Sequence, residues 1–135
     1  MANSLYDLGR EKFLTGVIDV AGDDIRLILV DEDDDAPNLA TDEFLEDRAA
    51  GARVATSGAF ASKTTTNGTF DAADVTLSTV TGDPSESIDI YQHTGNEATA
   101  AMIANIDTAT GLPVTPNGGD IVIQFDSGSD RIFTL

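Results

Sequence analysis

Ile25-Arg26-Leu27-Ile28-Leu29-Val30, set between Asp23-Asp24 and the run Asp31-Glu32-Asp33-Asp34-Asp35, is the stretch that decides the fold class. Its density of branched apolar residues, stopped on both sides by carboxylates, reads as a buried strand. From Ala49 onward the composition shifts to Ala, Gly, Thr and Ser with alternating apolar residues. Arg53-Val54-Ala55-Thr56, Ala59-Phe60-Ala61, Val75-Thr76-Leu77-Ser78 and Ile88-Asp89-Ile90-Tyr91 read as further strands. Turn signals such as Thr66-Asn67-Gly68 and Gly82-Asp83-Pro84 separate them. Residues 98–106 hold alanines that favour helix and Met102, Ile103 and Ile106 that suit a strand; the spacing of neighbouring turns favours strand. Asp120-Ile121-Val122-Ile123-Gln124-Phe125 alternates cleanly. Asp126-Ser127-Gly128 then turns the chain, and Arg131-Ile132-Phe133-Thr134-Leu135 is expected to return as its hairpin partner.

Upstream of the deciding strand, Ser4 is placed to cap a helix over residues 4–15. Leu5, Leu8 and Phe13 with Leu14 fall near helical spacing, Tyr6 shares the other surface, and Gly16 ends the helix. Pro37-Asn38 turns the chain, and Thr41 is expected to cap a second, short helix through Asp47 containing Phe44 and Leu45. The expectation is a single domain over 1–135, mainly β (α+β). It is an antiparallel β-sandwich or small barrel of about seven or eight strands, with one N-terminal helix and a β-rich body over 17–135.

Twenty-four acidic residues stand against seven basic ones, a formal charge of -17. Such a surface repels itself where the Debye length is roughly 10 Å and is tolerated in molar salt, where screening shortens to about 3 Å. Short hydrated carboxylates in place of lysine stems keep a surface soluble where salt strengthens apolar association, so a halophilic setting is expected. The same charge argues against nucleic-acid partners, which need clustered Lys and Arg. The longest apolar runs, 25–30 and 121–125, fall far short of a bilayer span, so no membrane partner is expected. The N-terminus lacks a basic start followed by an apolar core, so no signal peptide is expected. Cysteine is absent, which removes disulfides and thiolate chemistry.

Candidate chemistry is sparse. Asp31, Asp33 and Asp35 have the spacing of the first ligands of a calcium loop, but Ala36 stands where a glycine turn is needed and Asp42 where a bidentate Glu is expected. Calcium or another cation is therefore a weak candidate, and no other cofactor is expected. His93, the only histidine, enters a Thr94-Gly95-Asn96 turn without a nucleophile elbow nearby. Ser127-Gly128-Ser129 reads as a hairpin turn. Gly118-Gly119-Asp120 lacks the Lys and the spacing of a phosphate cradle. No enzyme is expected.

Three stretches form a set: Leu5-Tyr6-Asp7 with Gly9-Arg10 and Phe13-Leu14; Pro37-Asn38-Leu39-Ala40-Thr41 with Phe44-Leu45 and Gly51-Ala52-Arg53-Val54-Ala55; and Ile106-Asp107-Thr108-Ala109-Thr110-Gly111-Leu112-Pro113-Val114 with Asn117-Gly118-Gly119-Asp120. Together they resemble a family of small proteins encoded among the virion genes of tailed phages and haloarchaeal tailed viruses. The resemblance implies a structural virion protein: a decoration, cement or turret-type subunit on the capsid exterior, binding major capsid protein as a homo-oligomer. A tail, baseplate or adaptor component of the same virion is the alternative, and a calcium-dependent acidic surface-binding module is a third reading. The resemblance carries over no catalytic residue. Contact candidates are Leu5, Leu8 and Phe13 on the helix and the aromatics Phe60, Phe70 and Tyr91. For the three aromatics the core is the favoured place, and for the three helix residues core and contact are evenly balanced.

Overall fold

The computed structural model describes residues 3–126, 128 and 131–135. In chain order these form β1 (Ser4–Leu5), α1 (Asp7–Leu14), β2 (Ile25–Val30), β3 (Arg53–Thr56), β4 (Thr69–Phe70), β5 (Val75–Leu77), β6 (Ser87–Gln92), β7 (Met102–Ile106), β8 (Ile121–Ile123) and β9 (Phe133–Thr134). Five strands make one antiparallel sheet in the order β1-β7-β6-β2-β3. The rest make two separate ribbons, β4-β9 and β5-β8. The fold is mainly β with one α-helix, and the sheets do not close into a barrel.

The deciding stretch is the central strand β2. It pairs residue for residue with β6 from Ile25 opposite Gln92 to Val30 opposite Ser87. Covered on both faces, it needs apolar residues at every position but the half-buried Arg26. Ile25, Leu27 and Leu29 join Ile88, Ile90 and Phe70 in the larger core, beneath the two ribbons. Ile28 and Val30 point the other way and meet Tyr6, Leu45, Tyr91 and Met102 in a second, smaller core. Each such side chain, fully removed from water, contributes about 1.5–3 kcal/mol.

Several expectations for local structure are corrected. The helix begins at Asp7, not Ser4, because Ser4 and Leu5 pair with Asn105 and Ala104 as an edge strand. Tyr6 then becomes the N-cap residue and is wholly buried instead of lying on the surface. The helix lies so close to β7 that a Cβ on Gly9 would come within 2.6 Å of the Met102 carbonyl oxygen, so only glycine fits there. The helix expected from Thr41 shrinks to a single 3-10 turn, Leu45–Asp47. The Asp47 carboxylate accepts the Glu43 and Phe44 N–H groups at 2.8 and 2.9 Å. Ala59-Phe60-Ala61 is extended chain without a ladder, although the Phe60 N–H reaches the Ile25 carbonyl at 2.8 Å.

Of the strands read at 75–78, 88–91 and 98–106, the second holds in full, the first ends at Leu77, and the third holds only over Met102–Ile106, because residues 97–99 form a turn. The terminal hairpin does not: β8 pairs with β5 and β9 with β4, so the two neighbours in sequence lie in different ribbons. The turn read at Asp126-Ser127-Gly128 and the Ser127-Gly128-Ser129 reading fall partly outside the described residues. Among the described residues no helix is long and apolar enough to cross a membrane.

Candidate functional site

Because β8 and β9 do not pair, an open groove of about 1000 Å³ lies between them and the β1–β7 edge of the large sheet, with the 108–112 segment at one end. Leu5, Ile106, Leu112, Ile121, Ile123 and Phe133 give it apolar walls. Arg10, Arg131 and Asp126 are the charged side chains along it. Arg10 is tied to Asp7 at 2.8 Å and Arg131 to Asp71 at 3.4 Å, yet the two arginine side chains remain 49% and 42% exposed. In a chain with over three carboxylates per cationic side chain, this lining is unusual in carrying more positive than negative groups. Val122, on the outer face of β8, is 54% exposed.

The six contact candidates divide. Leu5 lines the groove, and Leu8 is half-buried on α1. Phe13 meets Phe133 edge-on with ring centroids 6.1 Å apart. Phe60, Phe70 and Tyr91 lie in the two cores and present almost nothing to solvent; Phe60 and Phe70 stack at 6.4 Å. Leu14, read as part of the helix's apolar face, is instead 89% exposed beside Val17.

The acidic run after β2 is split by the structure. Asp31, Asp33 and Glu86 bring carboxylate oxygens within 4.8 Å of one another, as do Asp31, Asp34 and Asp83. Asp35 does not join them. Its carboxylate lies 3.3 Å from the Arg48 guanidinium and accepts the Ala49 N–H at 2.7 Å. The oxygen donors match what calcium takes, but no described cationic side chain pairs with this cluster, and Asp31 already accepts the Asp33 N–H at 3.0 Å.

Sequence reasoning missed a polar cluster inside the smaller core. Arg48 is fully buried, with its Nε 3.0 Å from Asp89 and its Nη2 2.9 Å from Asp42 and 3.1 Å from the Tyr6 hydroxyl. The Tyr6 hydroxyl donates to Asp89 at 2.5 Å, and Asn105 Nδ2 donates to the same carboxylate oxygen at 2.9 Å. Burial pushes the Asp89 carboxyl upward against the opposing pull of Arg48. Burial also pushes the Tyr6 phenol up, reinforced by the Asp89 charge, and raises Tyr91. A polar residue flanked by Ile88 and Ile90 was the one available signal, and nothing near Arg48 marked it for the interior.

These are the chain's only tyrosines. An unfolded tyrosine ionises near pH 10. With both folded values above that, their contribution to stability is intact below about pH 10 and is lost as pH rises toward the folded values. Absorbance at 295 nm is therefore expected to stay flat through pH 10 and to rise in one step together with loss of circular dichroism. A gradual rise centred on pH 10 in folded protein would contradict the buried placement.

The His93 and Tyr91 rings meet edge-on with centroids 6.2 Å apart, and the His93 backbone N–H donates to the Asp24 carbonyl at 2.7 Å. Among the described residues no serine or threonine hydroxyl is hydrogen-bonded to its ring. Arg48, Asp89, Tyr6 and Asn105 are closed to solvent and serve packing, which leaves the groove as the accessible feature with a distinct chemical character. The chain matches no protein-family model and no curated protein.

Proposed function

We propose that this chain is a non-catalytic structural subunit of a tailed-virus particle, seated on the exterior of the head shell as a decoration or cement protein. The observation that carries the reading is the groove: a long apolar seat with open strand edges in a surface otherwise dominated by carboxylates. Surfaces of this kind mark places where another chain docks. The resemblance of the three sequence stretches to small virion proteins supplies the setting. In that role the mechanism is mechanical. Each copy contributes a modest contact, and repetition over the shell turns many modest contacts into avidity, so loss requires several interfaces to open at once. The carboxylates keep the outer face hydrated and the particles apart in concentrated salt.

Mass spectrometry of purified particles, quantified against the major capsid protein, tests the reading. The expected result is a copy number comparable to that of capsomers, with density on the head exterior in a reconstruction. Absence from particles, or a handful of copies located in the tail, would overturn it.

A further inference from the structure

We propose that the groove of one copy receives the β8 edge of a second copy, the two Ile121–Phe125 segments pairing antiparallel about a two-fold axis. The inference rests on reading the chain as an assembly subunit and names its first partner as itself.

Three observations converge on β8. Its inner edge is paired with β5, and no strand among the described residues pairs with its outer edge. Proteins protect such edges with lysines, prolines, bulges or very short strands. The two edges of the large sheet follow that rule, since β1 has only two residues and β3 begins with Arg53, whereas the three-residue β8 runs on as uncharged chain through Phe125. Ile121-Val122-Ile123-Gln124-Phe125 has no charge and no proline, and its Val122 is exposed, in a chain whose residues are 23% charged.

Charge complementarity identifies the occupant. The apolar strand is bracketed by Asp120 and Asp126, and the groove that would hold it carries Arg10 and Arg131 with half-exposed side chains. An acid–apolar–acid segment thus meets an apolar trough that carries two guanidinium groups, and a second copy supplies that segment without any further partner. A two-fold arrangement makes each contact twice.

Charge also selects the register. Centred on Ile123, the pairing would set Asp120 of one copy against Asp126 of the other, two like charges across the ladder. Centred on Val122 it sets Asp120 against Gln124 and Ile121 against Ile123, with no like-charge pair in the segment. The same carboxylate-rich chain repels its copy in dilute buffer, so pairing belongs to concentrated salt, where screening is short and apolar contact is strengthened.

Sedimentation equilibrium of the full chain in molar NaCl, with Val122→Lys and Val122→Thr beside the wild type, tests this. Val122 is more than half exposed, so neither change should shift the thermal midpoint appreciably. The wild type and Val122→Thr are expected to dimerise. Val122→Lys sets two ammonium groups against each other at the two-fold axis and is expected to weaken the dimer by roughly 100-fold or more. A wild type that stays monomeric at every accessible concentration, or a lysine variant that associates equally well, would overturn the proposal. If the chain is present in particles yet monomeric in solution, self-pairing fails and the virion reading stands. A dimer absent from particles would sink the virion reading alone.

Discussion

Replacing Arg48 with methionine is expected to lower stability by about 3–5 kcal/mol, the usual cost of breaking a buried ion pair by removing one partner. The loss is large because Asp89, itself wholly buried, keeps only the neutral donors of Tyr6 and Asn105 once the guanidinium is gone. Asp42 and Asp35 also lose their cation, but both reach solvent and add little. A cost of that size is a substantial share of the 5–15 kcal/mol that typically holds a domain together. The double variant Arg48→Met with Asp89→Leu removes both charges and is expected to recover most of the loss, since a well-packed apolar replacement of a buried pair is often neutral or better. Chemical denaturation of the wild type, both single variants and the double variant measures this. A penalty under about 1 kcal/mol for Arg48→Met would show that the cluster is not buried as described.

Removing salt is the second large effect. On dialysis from molar NaCl into about 10 mM buffer, where the screening length reaches about 30 Å, the isolated chain is expected to lose its folded circular dichroism. Two like charges about 10 Å apart repel by roughly 0.4 kcal/mol in unscreened water. At separations near those of Asp31, Asp33 and Glu86 the figure is closer to about 1 kcal/mol per pair. Summed over a net charge of -17, such terms rival the stability of an ordinary domain and fade once salt shortens their reach. Divalent cations at matched ionic strength separate general screening from occupation of the Asp31 cluster. Retained dichroism in the dilute buffer would contradict an obligate need for salt.

Much of the architecture was legible because it is local. The central strand announces itself by six consecutive apolar or half-buried positions between acidic stops, and 88–91 and 102–106 follow from the same density of branched residues and turn spacing. Pairing was less legible. A turn signal between 125 and 131 argues for a hairpin, yet Ile121–Ile123 takes Val75–Leu77 as its partner from far upstream, and the following Phe125 packs on Phe60, a contact between distant segments that no local pattern announces. A helix begun at Ser4 would place Tyr6 on the surface. The two-residue pairing with β7 delays the helix and turns that side chain inward against Asp89. Arg48 was beyond reach, since a lone arginine after Glu46-Asp47 looks like any solvated charge until three carboxylates from separate segments surround it. The groove is hidden for a similar reason: it exists only where the paired β1–β7 edge, drawn from both ends of the chain, faces β8 and β9, which do not pair with each other.

Hydrogen exchange across residues 120–126 tests the central claim most directly, since an open strand edge and an occupied one differ in their amide protection. Compared between dilute and concentrated protein in molar NaCl, amides in this segment should slow by about tenfold or more while those of β2 and β6, already paired on both sides, keep their rates. Equal exchange at the two concentrations, or slowing spread evenly over the sheet, would mean that the β8 edge faces water in the working protein.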